Sequence, residues 1–313
     1  MSRLFSLFLI SFVLLSCNED HQLVTDQDAL QVEFSITPKS RANDTLLDNT
    51  KKEFKQNDAI GLFSSIEDLH SKWMLTEGTW IPDNYIFWIN RDTTYTFQAY
   101  YPYVEGASVH KIPMPSLTRQ QTDQPDLSDI DFLAGQQNCK YTDCNGTLSF
   151  TGIHAMNHVY AMIIVNLTTK NQKDEILLKD VSFSGENLFS HCFYSFGPNQ
   201  TGNAVTVDKS QKAIHSHTFT YNSPVQLHPD SGYNVQVLVN PLICKANAGF
   251  SIHYTSGLVE KYAFTDALSN EFKPGYYYKY NMVLNDAEII EVTGLEINGR
   301  KVDILPDIIF PSN

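Results

Sequence analysis

The chain has 313 residues, a hydrophobic fraction of 42% and a formal net charge of −13. Such acidity argues against a nucleic-acid partner and against electrostatic attachment to anionic lipid, because both select basic surfaces. The length is sufficient for two domains of ordinary size.

The first predicted element is an export signal over residues 1–16. Arg3 precedes an apolar run from Leu4 to Leu15, which is shorter than the roughly 20 apolar residues that a membrane-spanning helix needs. The run ends in Leu14-Leu15-Ser16-Cys17, which resembles the lipobox of bacterial lipoproteins. That resemblance implies that Cys17 is acylated, becomes the mature N-terminus and anchors the chain to the outer membrane. An unmodified cysteine after a hydrophobic stretch is the alternative.

An acidic linker over residues 17–28 precedes the first predicted strand. Its acids after Cys17 resemble a signal that sends lipoproteins to the cell surface. The strand that follows alternates apolar and polar residues, which indicates one buried face. The apolar positions are Leu30, Val32, Phe34 and Ile36. Pro38 ends the strand, and a polar loop containing Arg41 comes next.

Short β-rich runs continue to the C-terminus, and no long stretch has a convincing helical period. The main runs are 59–63, 85–88, 95–100, 146–150, 161–165, 217–221, 233–239 and 250–254.

Asn298-Gly299 predicts a C-terminal hairpin. Its arms contain Leu295, Ile297, Val302 and Ile304. Many short strands favour an all-β fold of two β-sandwiches, divided near residue 150 into residues 29–150 and 151–313.

No motif anchors a catalytic interpretation, because the nucleophile elbow, the P-loop and the dinucleotide fingerprint are all missing. His154 and His158 have i, i+4 spacing but no third ligand, and the acids Asp126, Asp129 and Asp131 lack the glycine and terminal glutamate of a calcium loop. We therefore expect no enzyme, no cofactor and no metal.

Four cysteines follow Cys17 along the chain. They are Cys139, Cys144, Cys192 and Cys244. In an oxidising compartment they could form two disulfides, with Cys139 and Cys144 close enough in sequence to pair locally. Buried free thiols are the alternative.

The order of these segments resembles the fimbrillin-like family, the lipoprotein precursors of type V pili. Each motif alone is weak, and the order and spacing of all of them over nearly the whole mature chain carry the resemblance. Besides the lipobox, they are Val32-Glu33-Phe34-Ser35-Ile36 with Ser40-Arg41-Ala42, Phe54-x-x-Asn57-Asp58-Ala59-Ile60-Gly61-Leu62-Phe63, Tyr95-x-Phe97-x-Ala99-Tyr100-Tyr101-Pro102-Tyr103, Asp131-Phe132-Leu133-Ala134, Phe150-x-x-x-His154-Ala155-Met156 and Gly275-Tyr276-x-Tyr278-x-Tyr280-x-Met282-x-Leu284.

The resemblance implies two tandem transthyretin-like β-sandwich domains and a stepwise assembly. A trypsin-like protease would cut after Arg41, making Ala42 the new N-terminus and releasing the first strand together with the lipid. The groove so exposed would take a strand from another subunit, and the C-terminal hairpin is a candidate donor. Other fimbrial subunits and host or bacterial surface ligands would be the partners. Shaft, tip and anchor roles stay open, as does the alternative that Arg41 is an ordinary loop residue.

The competing interpretation is a monomeric surface-anchored lipoprotein that binds glycans. It would keep its lipid on Cys17 and use exposed aromatic side chains as stacking platforms for sugar rings. The candidates are Trp73, Trp80 and Trp88.

Overall fold

The computed structural model describes residues 29–37, 50–120, 126–170, 177–186, 188–197, 204–212, 215–241, 248–263, 272–285, 288–298, 301–304 and 308–309. Within these ranges the chain is nearly all β, with a single four-residue α-helix, α1 (Tyr141–Cys144). The all-β prediction is therefore confirmed. The division into two tandem sandwiches stays a prediction.

The strands of the described ranges follow one another closely along the chain. They are β1 (Gln31–Phe34), β2 (Ala59–Ser64), β3 (Leu69–Thr76), β4 (Thr79–Pro82), β5 (Tyr95–Tyr101), β6 (Ile112–Pro113), β7 (Leu133–Cys139), β8 (Thr147–Phe150), β9 (Asn157–His158), β10 (Ala161–Thr169), β11 (Leu177–Ser184), β12 (Cys192–Tyr194), β13 (Val205–Val207), β14 (Ser216–Gln226), β15 (Tyr233–Val239), β16 (Gly249–Tyr254), β17 (Val259–Ala263), β18 (Tyr277–Asn285), β19 (Glu288–Asn298), β20 (Lys301–Ile304) and β21 (Ile308–Ile309). Short 3-10 helices lie at Leu117–Gln120, Leu127–Asp129 and Gly152–His154.

The strands form five sheets. An antiparallel sheet has the order β4-β3-β2-β5-β7-β9, and the pair β1-β8 is a separate parallel sheet. In the second half of the chain, a sheet of order β15-β10-β18-β19-β20, with β21 also on β19, accompanies a sheet of order β14-β11-β16-β17. A small sheet, β13-β12-β6, combines strands from both halves of the sequence.

Buried apolar side chains form three clusters. The first core joins the large antiparallel sheet to the β1-β8 pair, and the second core joins the two larger sheets of the second half. The junction core contains buried residues from both halves, from Tyr100 to Tyr277. The contact region between the two halves of the chain is therefore built like a hydrophobic core. Such a contact is more typical of elements that fold together than of loosely linked ones.

Most predicted strands are present, but the prediction for residues 85–88 is wrong. Tyr85 and Phe87 are exposed while Ile86 and Trp88 are buried, so the alternation in the sequence is real. The segment nevertheless makes only an isolated bridge, Ala29 to Phe87. Alternating burial without a neighbouring ladder gives an extended segment rather than a strand.

Candidate assembly site

β1 lies along one edge of β8 and continues past its end. The parallel register runs from Gln31 opposite Thr147 to Phe34 opposite Phe150. Beyond it, Ser35 N donates to Phe150 O at 2.9 Å, Thr37 N to Met156 O at 2.8 Å and Met156 N to Ser35 O at 2.9 Å. The N-terminal segment is therefore attached by a continuous row of backbone hydrogen bonds.

The opposite edge of β1 is much less occupied. Leu30 N donates to Ile86 O at 2.8 Å, next to the isolated bridge between Ala29 and Phe87. Among the described residues, β8 is the one strand that forms a ladder with β1. β1 is consequently an edge strand, bonded by backbone along mainly one side.

The predicted apolar face of the first strand is buried in the first core. Leu30 is 1% exposed, Val32 7%, Phe34 9% and Ile36 8%, whereas Gln31 and Glu33 face solvent. Burying one side chain of this size contributes about 1.5–3 kcal/mol. The strand is thus held by its side chains as well as by its backbone.

Phe34 makes the densest contacts of the strand. Its ring stacks on Phe150 with centroids 5.4 Å apart and meets Trp80 edge-on at 5.0 Å. Trp73 lies at 6.5 Å, also edge-on. Removal of β1 would expose this aromatic wall together with the free edge of β8, which is an apolar groove beside an unpaired strand. Such a groove accepts an added strand through backbone bonds and alternate side-chain pockets.

The C-terminal hairpin lies at the opposite end of the chain and pairs with its own sheet. β19 is bonded to β18 from Tyr277 opposite Ile297 to Asn285 opposite Glu288. β20 pairs with β19 from Leu295 opposite Ile304 through Ile297 opposite Val302, and β21 pairs with it at two positions. β20 is the last strand in the order of this sheet.

A buried ionic network holds the chain just after the predicted cleavage loop. Lys51 is 2% exposed, and its ammonium contacts the carboxylate of Asp58 at 2.6 Å. The Tyr101 hydroxyl donates to the same carboxylate at 3.1 Å, and Lys51 N donates to Asp131 at 3.1 Å. Asp131 is also bonded to His158 at 2.7 Å. The sequence offered no signal for this network, because Lys51 is one of two adjacent lysines in a polar stretch.

The network accounts for His158 and Asp131, two residues considered for metal binding. His154 is exposed in the 3-10 helix Gly152–His154, and Asp126 accepts a hydrogen bond from Ser128 N at 3.0 Å. Within the described part of the chain, no group of three histidine, cysteine or acidic side chains could hold a metal ion.

Several predicted site residues lie outside the described residues. They are Cys17, Arg41, Ala42 and Cys244. Cys139, Cys144 and Cys192 are free thiols. The thiols of Cys139 and Cys144 each donate to Lys140 O at 3.3 Å. Burial raises the pKa of both Cys139 and Cys192 to about 12, so these thiols are poor nucleophiles at neutral pH.

The tryptophans proposed as sugar platforms are in the first core. Trp73 is 1% exposed and Trp88 is 5% exposed, and Trp80 is half-buried against Phe34 and Phe54. The expectation of exposed platforms is wrong for Trp73 and Trp88, whose indoles are buried, and Trp80 is only partly exposed.

The sequence matches one known protein family. The model of the fimbrillin-like family matches residues 40–299. No curated protein matches the sequence. Within the described residues, no helix combines the length and apolar character needed to cross a membrane.

Three solved structures share the fold at low sequence identity. A candidate cell adhesion protein from Bacteroides uniformis is 16% identical, with a TM-score of 0.61 over 90% of this chain and 98% of that chain. One from Bacteroides ovatus is 12% identical, with a TM-score of 0.57 over 91% and 99%. A fimbrial protein from Bacteroides vulgatus is 13% identical, with a TM-score of 0.52 over 88% and 99%.

Proposed function

The chain belongs to the fimbrillin-like family, and from that membership we propose that it is a structural and adhesive subunit of a type V fimbrium. In this proposal the precursor is acylated on Cys17 and exported to the cell surface. Cleavage after Arg41 then releases β1, and a strand from another subunit takes its place. Other fimbrial subunits are the partners, and no step requires catalysis by this chain.

The observation that carries the proposal is the attachment of β1. Its one ladder partner among the described residues is β8, and its four alternating apolar side chains fill the first core. A segment attached in this way can be replaced by another strand of the same pattern without rearranging the large sheet. The Lys51 network supports the same mechanism, because it holds the chain on the far side of the cleavage loop.

The C-terminal hairpin is the proposed donor. β20 pairs with β19 along four residues at the edge of the sheet, and the β19 arm of the hairpin is paired with β18 at Tyr277 opposite Ile297 and Lys279 opposite Leu295, so release of the whole hairpin also opens that end of the β18–β19 ladder. Leu295, Ile297, Val302 and Ile304 repeat the apolar alternation of β1. We propose that these residues enter the groove of the next subunit after cleavage. This exchange would restore the backbone bonds of β8.

The first test is the N-terminus of the protein recovered from the cell surface, read by mass spectrometry. We expect a chain that begins at Ala42. Arg41→Ala should leave acylated Cys17 at the N-terminus and abolish subunit ladders on gels run without heating. Lys39→Ala is the matched control, because it removes a positive charge from the same loop without removing the proposed arginine. A wild-type chain that begins at acylated Cys17 would contradict cleavage and strand release, and would favour an anchor subunit or the anchored glycan-binding interpretation.

A second test addresses the exchange itself. A synthetic peptide of residues 29–37, added in excess to cleaved subunits, should occupy the groove and suppress ladder formation. The same peptide with Val32 and Phe34 replaced by Asp should have no effect, since burying a carboxylate in the first core is unfavourable. Equal inhibition by the two peptides would show that the groove is not the assembly site.

A further inference from the structure

A separate pocket of about 230 Å³ lies at the end of the β12–β13 pair. Its lining comes from two chain segments, Phe189–His191 and Val207–Lys212. The ladder between them ends with Cys192 opposite Val207, and Asp208 N donates to His191 O at 3.0 Å. The separation of the two walls is therefore set by backbone pairing.

The rim of the pocket is positive although the protein as a whole is acidic. Lys209 and Lys212 are exposed there, and neither forms an ion pair with a described residue. Asp208 also lines the pocket, but Ser210 N and Oγ donate to its Oδ1 at 3.0 and 2.6 Å. These bonds, together with the nearby ammonium of Lys111, lower the pKa of Asp208, so its carboxylate counts as one negative charge at the rim. The two lysines thus outweigh the one carboxylate.

The pocket is also lined by a serine with a buried hydroxyl. Ser190 is 2% exposed, and its Oγ has no hydrogen-bond partner among the described residues. The backbone on both sides of it is occupied, because Ser190 O accepts from Leu117 N at 3.0 Å and Phe189 N donates to Asn240 at 3.0 Å. A buried polar group without a partner is unfavourable, and a ligand oxygen would satisfy it.

The remaining wall suits a sugar ring. Phe189 is half-buried and lines the pocket, with its ring held edge-on against His215 at a centroid distance of 5.2 Å. An aromatic face beside hydrogen-bonding groups is typical of sites that stack a sugar. The volume lies below the roughly 300–1,000 Å³ of pockets that enclose drug-sized ligands, so it admits one ring-sized group.

We propose that this pocket binds an acidic monosaccharide unit of a glycan. The carboxylate or sulfate of the sugar contacts Lys209 and Lys212, a ring or hydroxyl oxygen accepts from Ser190, and the apolar face of the ring lies on Phe189. The pocket shares no residue with β1 or its groove. The sugar-binding proposal is therefore independent of the proposed cleavage and strand exchange, and its failure would not contradict them.

The test is saturation-transfer NMR on the mature chain with three sugars, N-acetylneuraminate, galactose 6-sulfate and neutral galactose, and with sodium sulfate as a competitor. We expect transfer to both acidic sugars, no transfer to galactose, and weaker binding as the salt concentration rises. The double variant Lys209→Gln/Lys212→Gln should bind the acidic sugars at least about tenfold more weakly, since it removes both charge-assisted contacts. Ser190→Ala should weaken binding about threefold or more.

The matched control is Lys179→Gln/Lys261→Gln, which makes the same charge change at exposed positions on β11 and β17. It should bind as the wild type does. Absence of transfer to both acidic sugars, or transfer that survives the substitution of Lys209 and Lys212, would overturn the proposal. Sodium sulfate that competes as strongly as galactose 6-sulfate would overturn the assignment to a sugar and leave a site for a free anion.

Discussion

At the scale of single residues, His217 makes stability depend on pH. It lies in β14 opposite Phe183, is 0% exposed, and burial lowers its pKa to about 4. The unfolded chain, with a histidine pKa near 6.5, therefore binds a proton before the folded chain does. We expect the free energy of unfolding to fall by at most about 3 kcal/mol as the pH decreases from 6.5 through 4, and this group to cause no further loss once the pH is well below 4.

Urea unfolding at a series of pH values measures this contribution. His217→Phe keeps a ring of similar size and cannot take up a proton, so its stability should decrease less steeply between pH 6.5 and pH 4 than that of the wild type. His154→Gln, at an exposed position, is the control and should leave the slope unchanged. A slope for His217→Phe equal to that of the wild type would mean that His217 is protonated as easily in the folded chain as in the unfolded one.

At the scale of elements, alternation in the sequence identified β1 well, because one face of it is buried and the other is exposed. β7 was missed, since its sequence Leu133–Cys139 is rich in Gly, Gln and Asn, which have low β propensity. Pairing with β5 at seven successive positions makes it a strand. Residues 85–88 failed in the opposite way, with a strand-like pattern but only an isolated bridge to Ala29 instead of a ladder. Strand pairing depends on residues that are distant in the sequence, so a local sequence pattern does not predict whether a segment has a partner.

The attachment of β1 leads to a prediction about Phe34. Phe34→Ala removes the ring between Phe150 and Trp80 and leaves a cavity, so we expect a loss of about 3–5 kcal/mol in the free energy of unfolding. Glu33→Ala changes the exposed neighbour on the same strand and should stay within about 0.5 kcal/mol of the wild type. Urea unfolding of the uncleaved chain measures both variants. Equal stabilities would mean that β1 already lies outside the first core in solution.

At the scale of the whole molecule, the position of the candidate site followed from the sequence but its geometry did not. Leu30, Val32, Phe34 and Ile36 were identified by their spacing, and their shared burial agrees with it. Their partner β8 lies more than a hundred residues further along, at Thr147–Phe150, and parallel pairing over that separation leaves no local pattern. The junction core could not be predicted from the sequence either, because its members are scattered between Tyr100 and Tyr277.

The junction between the two halves contains a buried amide whose removal should be costly. Gln120 is 0% exposed, its Nε2 donates to Leu238 O at 2.9 Å, and its Oε1 accepts from Leu238 N at 2.8 Å. Leu238 lies in β15, the outermost strand of its sheet among the described strands, so these bonds satisfy backbone groups on the edge away from β10. Gln120→Ala would leave both groups buried without a partner, at about 1–3 kcal/mol each.

We therefore expect the wild type to unfold in one cooperative transition and Gln120→Ala to lose roughly 2–6 kcal/mol of stability. If the junction core couples the two halves, the variant should also separate into two transitions, seen when Trp fluorescence and far-UV circular dichroism no longer coincide. All three tryptophans lie in the first half of the chain, so fluorescence reports that half alone. Gln98→Ala, which removes an exposed amide pair with Gln136, should change neither the stability nor the coincidence of the probes. Two separate transitions in the wild type would mean that the junction core does not make the halves fold as one unit.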